Sequence, residues 1–378
     1  MRVNFDSQIF CSQAVGGISR YFASLAKEMS VLAGVRPQIW APYHCNEYLA
    51  ALPKTLVRGR RTPHARAPHP GLRIASLLGT ALGQRCNPSD ILHRTYYYPF
   101  CHLPGPAKNV LTVYDMIHEK YPQQYASSDP IARWKKRAVN GADTIICISE
   151  NTRKDLLEHY DTVPPEKVFV THLGFDALSN LLSDEPASSF RARALGADIP
   201  YILFVGHRAG YKNFTGLLQA YSNSPWLHQN FALLCFGGGA FTPVEHALVA
   251  QSPAPQRIRQ VGGSDAVLAS CYRHAALFVY PSLYEGFGIP PLEAMSMDCP
   301  VACSNTSSIP EVVGNAAAFF DPGSVDSLQS TLEKVLTAST VCADLVQRGR
   351  VRRMEYSWRR CAEQTVDIYR ATLAPSMR

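Results

Sequence analysis

Short apolar runs of strand length alternate with helix-like periodic stretches almost throughout the chain, and this alternation restricts the fold to parallel α/β sheets rather than sandwiches or bundles. Strands are expected at Arg2–Phe5, Gln38–Ala41, Ile91–Leu92, Val110–Val113, Thr144–Ile148 and Val168–Thr171. A second set is expected at Tyr201–Val205, Ala232–Phe236, Ile258–Val261, Leu277–Tyr280 and Val301–Ser304. Two sets imply two doubly wound domains, each with its own core, and 378 residues of 46% apolar composition suffice for both. The weakest periodicity, rich in Ser, Asp, Pro and Ala, lies between Ala177 and Pro200 and reads as the linker. The expected division is residues 1–180, 181–355 and a C-terminal helix within 356–378.

Several classes are disfavoured. The eleven Cys form no CxxC pair, their closest spacing being Cys299 and Cys303, so neither a disulfide framework nor a zinc site is implied and a reducing cytoplasm is expected. The opening MRVNFDSQIF lacks the apolar core of a signal peptide, and no run reaches the roughly 18 apolar residues of a membrane span. The formal charge of +7 falls wholly before residue 180, with 21 basic residues against 14 acidic ones there. Its densest part, Lys54–Arg85, holds seven basic residues and no acid. Such a stretch is either a solvated surface loop or a face for anionic lipid or phosphate. It lacks the interleaved aromatics on which nucleic-acid bases stack, so no nucleic-acid partner is expected.

The chemistry concentrates in Pro281–Glu293 (PSLYEGFGIPPLE), which follows the buried strand LFVY. Strand, glycine loop and helix N-terminus with Pro290 and Pro291 at its first positions offer unpaired backbone N–H groups and a positive dipole end to a diphosphate. Gly286 and Gly288 permit close approach of a ligand to the backbone. Glu285 and Glu293, with seven residues between them, flank the loop. Carboxylates accept paired hydrogen bonds from vicinal hydroxyls, and a nucleotide sugar carries such diols on both sides of its diphosphate. The bland reading of Glu293 is a first-turn acid complementing the helix dipole.

The segment Arg273–Pro322, RHAALFVYPSLYEGFGIPPLEAMSMDCPVACSNTSSIPEVVGNAAAFFDP, resembles the signature region of family 4 glycosyltransferases, its E-x7-E pair falling on Glu285 and Glu293. The resemblance implies the GT-B fold, two Rossmann-like domains facing a central cleft with the C-terminal helix crossing back to the first. It implies a retaining transfer in which Glu285 holds sugar hydroxyls, Glu293 the ribose diol, and the backbone of Phe287 and Ile289 the sugar and phosphate. In YILFVGHRAGYKNF (Tyr201–Phe214), Gly206 ends a strand, and Arg208 and Lys212 are expected on the diphosphate, where two cations would do the work of a magnesium ion. No metal or other cofactor is therefore expected. Val261, in QVGG, is expected near the base edge and Ser282 near the phosphates, while Gly16 and Gly17 would form a turn touching the donor.

Many relatives carry His-Asp where this chain has Tyr114–Asp115, which leaves Asp115 and His118 as groups that could orient or deprotonate the acceptor hydroxyl. Asp115 could equally be a helix cap and His118 a buried, hydrogen-bonded ring. His93 also falls at a strand end on the ligand side, and Ser149 resembles a cap. No carboxylate nucleophile is apparent, and the family is held to use front-face attack, the leaving phosphate taking the acceptor proton. Trp358 and Tyr369 are expected to pack the last helix. A looser likeness of VGHRAGYKN and VYDMIHEKYP to bacterial O-antigen mannosyltransferases implies mannose from GDP-mannose, passed to a glycan or lipid-linked oligosaccharide in surface polysaccharide synthesis. Peripheral contact with an anionic membrane would suit such an acceptor. An oxidoreductase is disfavoured because no GxGxxG follows the first strand of either set. A non-catalytic nucleotide-sugar or glycan-binding module remains the alternative.

Overall fold

The computed structural model describes residues 1–62, 70–99, 105–182, 184–208 and 210–374. The chain forms two compact units, Met1–Gly174 with Tyr356–Arg378, and Phe175–Glu355. The first boundary thus precedes the expected residue 180, and the last helix is an integral part of the first unit.

The first unit is built on seven parallel strands, β1 (Arg2–Phe5), β2 (Arg36–His44), β3 (Val57–Arg61), β4 (Ile91–Arg94), β5 (Lys108–Val113), β6 (Thr144–Cys147) and β7 (Val168–Val170), in the order β3-β2-β1-β4-β5-β6-β7. The second has six, β8 (Tyr201–Val205), β9 (Ala232–Phe236), β10 (Ile258–Val261), β11 (Leu277–Tyr280), β12 (Val301–Ser304) and β13 (Ala318–Phe320), in the order β10-β9-β8-β11-β12-β13. In both sheets the order reverses beside the first strand, between β1 and β4 and between β8 and β11. The crevice beyond the carboxyl ends of those strands is where doubly wound sheets bind ligands. Central strands such as β6 (TIIC), β11 (LFVY) and β12 (VACS) are buried at every position, because helices cover both faces of the sheet.

Two strands were not anticipated. β3 (VRGRR) sits at the sheet edge with all but Val57 exposed, so it carries no apolar run. Its Gly59 is needed for space, since a Cβ there would lie 1.6 Å from the Ala41 carbonyl oxygen. β13 is only three residues long. β3 and the helix Pro70–Cys86 replace the solvated loop among the readings of Lys54–Arg85. Residues 63–69 of that stretch lie outside the described residues, as does Ser183 of the linker segment.

The helix Gly17–Met29 buries Tyr21, Phe22, Leu25, Ala26 and Met29, and the helix Trp358–Leu373 packs against it. Tyr369 Oη lies 2.5 Å from His93 Nδ1, Thr372 Oγ1 2.9 Å from Thr144 Oγ1, and the Trp358 ring 6.2 Å from that of Tyr21. His93 therefore faces the core rather than a ligand. Burial pushes its imidazole down to about 3, so it is neutral there. Among the described residues no helix is long and apolar enough to cross a membrane.

Candidate active site

β11 delivers the chain to the loop 281–288, and the helix Ile289–Ser296 leaves it. Gly288 caps that helix with φ +118°, a left-handed conformation that side chains resist, and Pro occupies the next positions, where no N–H is needed. The loop is braced by hydroxyls from the SNTSS segment after β12. Thr306 Oγ1 donates to the Leu283 carbonyl at 3.1 Å, Ser307 Oγ accepts from the Glu285 N–H at 3.0 Å, and Ser308 Oγ lies 2.9 and 2.8 Å from the carbonyls of Glu285 and Phe287. Sequence reasoning passed over these residues. A run of small hydroxylic side chains directly after a buried strand was the available signal, since such groups bond best to backbone.

Leu283 N–H donates to the Tyr211 carbonyl at 2.7 Å, tying the loop to the turn Gly210–Lys212 beyond β8. The tie brings Lys212 Nζ to 2.7 Å from Glu285 Oε1, with side chains 18% and 10% exposed. Lys212 also lies 5.6 Å from the Tyr280 ring centre, and burial followed by the Glu285 charge pushes the Tyr280 phenol well above its ordinary value. Lys212 and Glu285, far apart in sequence, are thus partners within one site.

Glu293 is buried and accepts from Tyr272 Oη at 3.2 Å. Burial and this carboxylate push the Tyr272 phenol well above its ordinary value. The first turn of the helix contains no acid, so Glu293 lies beyond it and dipole complementarity does not account for its position. Ser282 is 1% exposed, and its Oγ has no hydrogen-bond partner among the described residues. A buried hydroxyl left unpaired costs on the order of 1–3 kcal/mol, which a ligand oxygen would relieve. Gly286, Phe287 and Ile289 line the same turn, with Phe287 buried.

Arg208 is held by partners within the protein. Its side chain is 1% exposed, with Nε 2.8 Å from Glu245 Oε1, Nη1 2.8 Å from the Gly237 carbonyl, Nη2 2.9 and 3.1 Å from those of Gly239 and Ala240, and Cζ 4.9 Å from the Phe241 ring centre. The guanidinium braces the loop after β9. Val261 uses its carbonyl internally, accepting from the Gly237 N–H at 3.0 Å and from Gln260 Nε2 at 2.8 Å. Gly206 follows β8 and donates its N–H to the Phe236 carbonyl.

In the first unit, Gly16 and Gly17 open the helix Gly17–Met29, whose Ser19 N–H is capped by Gln13 Oε1 at 3.2 Å. Asp115 Oδ1 accepts from the Ile117 N–H at 3.0 Å, so one carboxylate oxygen caps the short helix Ile117–Lys120. Behind it lies Lys135, almost fully buried, with Nζ 2.9 Å from the Asp115 carbonyl, 3.8 Å from Asp115 Oδ1 and 2.7 Å from Glu119 Oε2. Tyr160 Oη donates to Glu119 Oε1 at 2.7 Å and completes this network. His118 stacks on Tyr125, ring centres 3.9 Å apart, and its Nε2 is 3.9 Å from Asp129 Oδ2. Burial, then Lys135, lowers its pKa. Ser149 caps the helix Glu150–His159 through Thr152 N–H.

The profile described as "Glycosyl transferases group 1" matches residues 188–352, and that described as "Glycosyltransferase Family 4" matches residues 15–177. The O-antigen chain mannosyltransferase B of Escherichia coli is 30% identical over 283 residues, 73% of this chain and 74% of that protein. The chain belongs to the family 4 glycosyltransferases. The serotype-specific mannosyltransferase WbdA of Escherichia coli is 28% identical over 281 residues, 72% of this chain but only 34% of that longer protein. A solved glycosyltransferase from Rickettsia africae superposes with a TM-score of 0.74 at 18% identity, covering 99% of each chain, which shows the shared GT-B fold. In this family 4 glycosyltransferase the second unit thus carries a site with two buried carboxylates, a cation, a buried hydroxyl without a hydrogen-bond partner among the described residues and the N-terminus of a helix. Such a set can hold diols and phosphate together.

Proposed function

We propose that the enzyme is a retaining mannosyltransferase that uses GDP-mannose and passes mannose to a glycan or lipid-linked oligosaccharide of a bacterial surface polysaccharide. The observation that carries the proposal is the Lys212–Glu285 pair, set beside the helix N-terminus at Ile289 and the unpaired Ser282 hydroxyl. The donor diphosphate lies on the backbone of Gly286–Ile289 with Ser282 Oγ donating to it. Glu285 takes the mannose hydroxyls and Glu293 the ribose diol. Lys212 neutralises the charge that grows on the departing phosphate, so no metal ion is required. The reading of mannose rests on the likeness to mannosyltransferases, because backbone recognition of a base leaves little trace in side chains.

In the reaction the bond from the anomeric carbon to the phosphate oxygen breaks and the bond to the acceptor oxygen forms on the same face. The acceptor proton passes to the departing phosphate, which makes a protein base dispensable. Asp115, with one oxygen committed to its cap and its backbone carbonyl held by Lys135, orients the acceptor hydroxyl, and His118 lies nearby as the second candidate. The enzyme acts in the cytoplasm, peripheral to the inner face of the membrane, where a lipid-linked acceptor is presented.

A thermal-shift panel of nucleotide sugars tests the donor, because a ligand that binds only the folded state raises its melting temperature. GDP-mannose is expected to give the largest shift, and product NMR in the presence of EDTA is expected to show full turnover and an α-linked mannose. A β-linked product would overturn the retaining mechanism, and loss of turnover in EDTA would overturn the role of Lys212. Donor binding with neither hydrolysis nor transfer to any acceptor would favour a non-catalytic binding module.

A further inference from the structure

The helix Pro70–Cys86 is amphipathic in the wrong sense for a surface helix. The side it turns to β2 is made of small residues. Thr80 Oγ1 donates to the Trp40 carbonyl at 3.1 Å and Ser76 Oγ accepts from the Tyr43 N–H at 3.2 Å. Gly79 and Gly83 let the helix close on Pro42 and Trp40, a Cβ at Gly83 coming within 2.3 Å of the Trp40 ring. The large aliphatic residues point away. Ile74, Leu78 and Leu82 are 58%, 58% and 61% exposed, and their spacing of four residues places them in one row, which Arg85 extends. Leu72 and Tyr43 are exposed as well. An ordinary surface helix buries its aliphatic row and shows small or polar residues to water. Reversal of that order creates an exposed apolar strip, which marks an interaction surface.

Basic residues predominate beside the strip, where Arg61 of β3 is paired with the exposed Glu47, Nη2 to Oε1 2.9 Å. Lys54, Arg58, Arg60 and Arg85 are exposed, the middle two on β3, which neighbours the same β2 that the helix covers, and no acid occurs from Lys54 to Arg85. We infer that this helix is the docking surface for an anionic phospholipid bilayer. The row of Ile74, Leu78 and Leu82 enters the boundary between headgroups and acyl chains, and the basic residues meet lipid phosphates. A second copy docked symmetrically would set this predominantly basic surface against itself, so the charge favours lipid over self-association. The inference rests on the membrane location proposed above and adds to it the element that makes the contact.

The test is co-sedimentation of the full chain with phosphatidylcholine vesicles, with and without phosphatidylglycerol, at low and high salt. Binding is expected only with the anionic lipid and weakens as salt rises. The variant Ile74→Ser/Leu78→Ser/Leu82→Ser loses affinity by about tenfold or more, because three aliphatic side chains no longer enter the bilayer. Its melting temperature and its transfer to a water-soluble acceptor stay as in the wild type, since all three residues face water. A single Leu78→Trp variant reports insertion by a blue shift of its fluorescence with anionic vesicles. Equal vesicle binding by the triple variant overturns the inference. So does a wild-type dimer in sedimentation analysis that the triple variant dissociates, which would make a second copy the occupant. Vesicle binding without sugar transfer by the wild type would instead overturn the enzymatic reading and leave the docking surface standing.

Discussion

Replacing Lys212 with Met removes the cation from a carboxylate that remains buried. Breaking a buried ion pair from one side costs about 3–5 kcal/mol, because the surviving charge stays desolvated. Lys212 and Glu285 keep 18% and 10% side-chain exposure, which admits some water and brings the expected loss to or just below the low end of that range, about 2–3 kcal/mol. For a unit of this size, Phe175–Glu355, that corresponds to a fall in melting temperature of roughly 5–10 °C. Glu285→Gln should cost less, since the freed ammonium can turn to water. The double variant Lys212→Met/Glu285→Gln, with neither charge left, should recover most of the loss of the Lys212 variant. Scanning fluorimetry and denaturant titration without donor measure this cycle, and calorimetry with GDP-mannose measures the second role. Donor affinity should fall about tenfold to a hundredfold in Lys212→Met and stay low in the double variant, because the phosphate has lost its cation whatever the stability. A double variant no more stable than Lys212→Met would refute the pair as a structural unit. Donor affinity that returns along with stability would refute the role of Lys212 on phosphate.

Three further outcomes follow from the geometry. His93 stays neutral in the folded protein down to about pH 3, whereas an unfolded imidazole takes up a proton near 6.5, so the unfolded state binds more protons between these values. Stability should therefore fall as pH drops from 6.5 toward 3, by about 2 kcal/mol between pH 7 and 5, and denaturation midpoints should show a flatter pH dependence in His93→Gln. Arg208→Met should lower the melting temperature by releasing the loop at Gly237–Phe241 while leaving donor affinity in the folded fraction within about threefold, a larger loss restoring Arg208 to the phosphate site. Glu293→Ala should abolish measurable binding of GDP-mannose in calorimetry, and normal affinity would remove Glu293 from the ribose.

Much of the candidate site's local shape was legible because many of its residues are contiguous. Pro281–Glu293 carries its own strand end, turn glycines and helix start, so local sequence dictates local shape. The unread part comes from elsewhere. The Thr306, Ser307 and Ser308 hydroxyls brace the loop from the far side of a helix and a strand, and Lys135 reaches Asp115 from a different helix. The bracing contacts of Arg208 were not legible because a guanidinium near a phosphate loop suits both a ligand and a brace. Only the fold of Gly237–Ala240 around it brings the carbonyls that it binds.

The sequence by itself determined the class of fold, the two sheets and most of their strands, since apolar runs of strand length between periodic helices have one stable solution. It also determined the strand, glycine turn and helix start of Pro281–Glu293, whose conformation depends largely on near neighbours. Tertiary structure decided what depends on distant residues. It paired Lys212 with Glu285, moved Glu293 past the first helical turn, turned His93 into the core beside Tyr369, and made strand and helix of the Lys54–Arg85 stretch. The reason is that side-chain partners and exposed faces are set by the packing of whole elements. An edge strand of arginines, or a helix that turns small residues to the sheet and shows Ile74, Leu78 and Leu82 to water, has no period that a linear pattern can report.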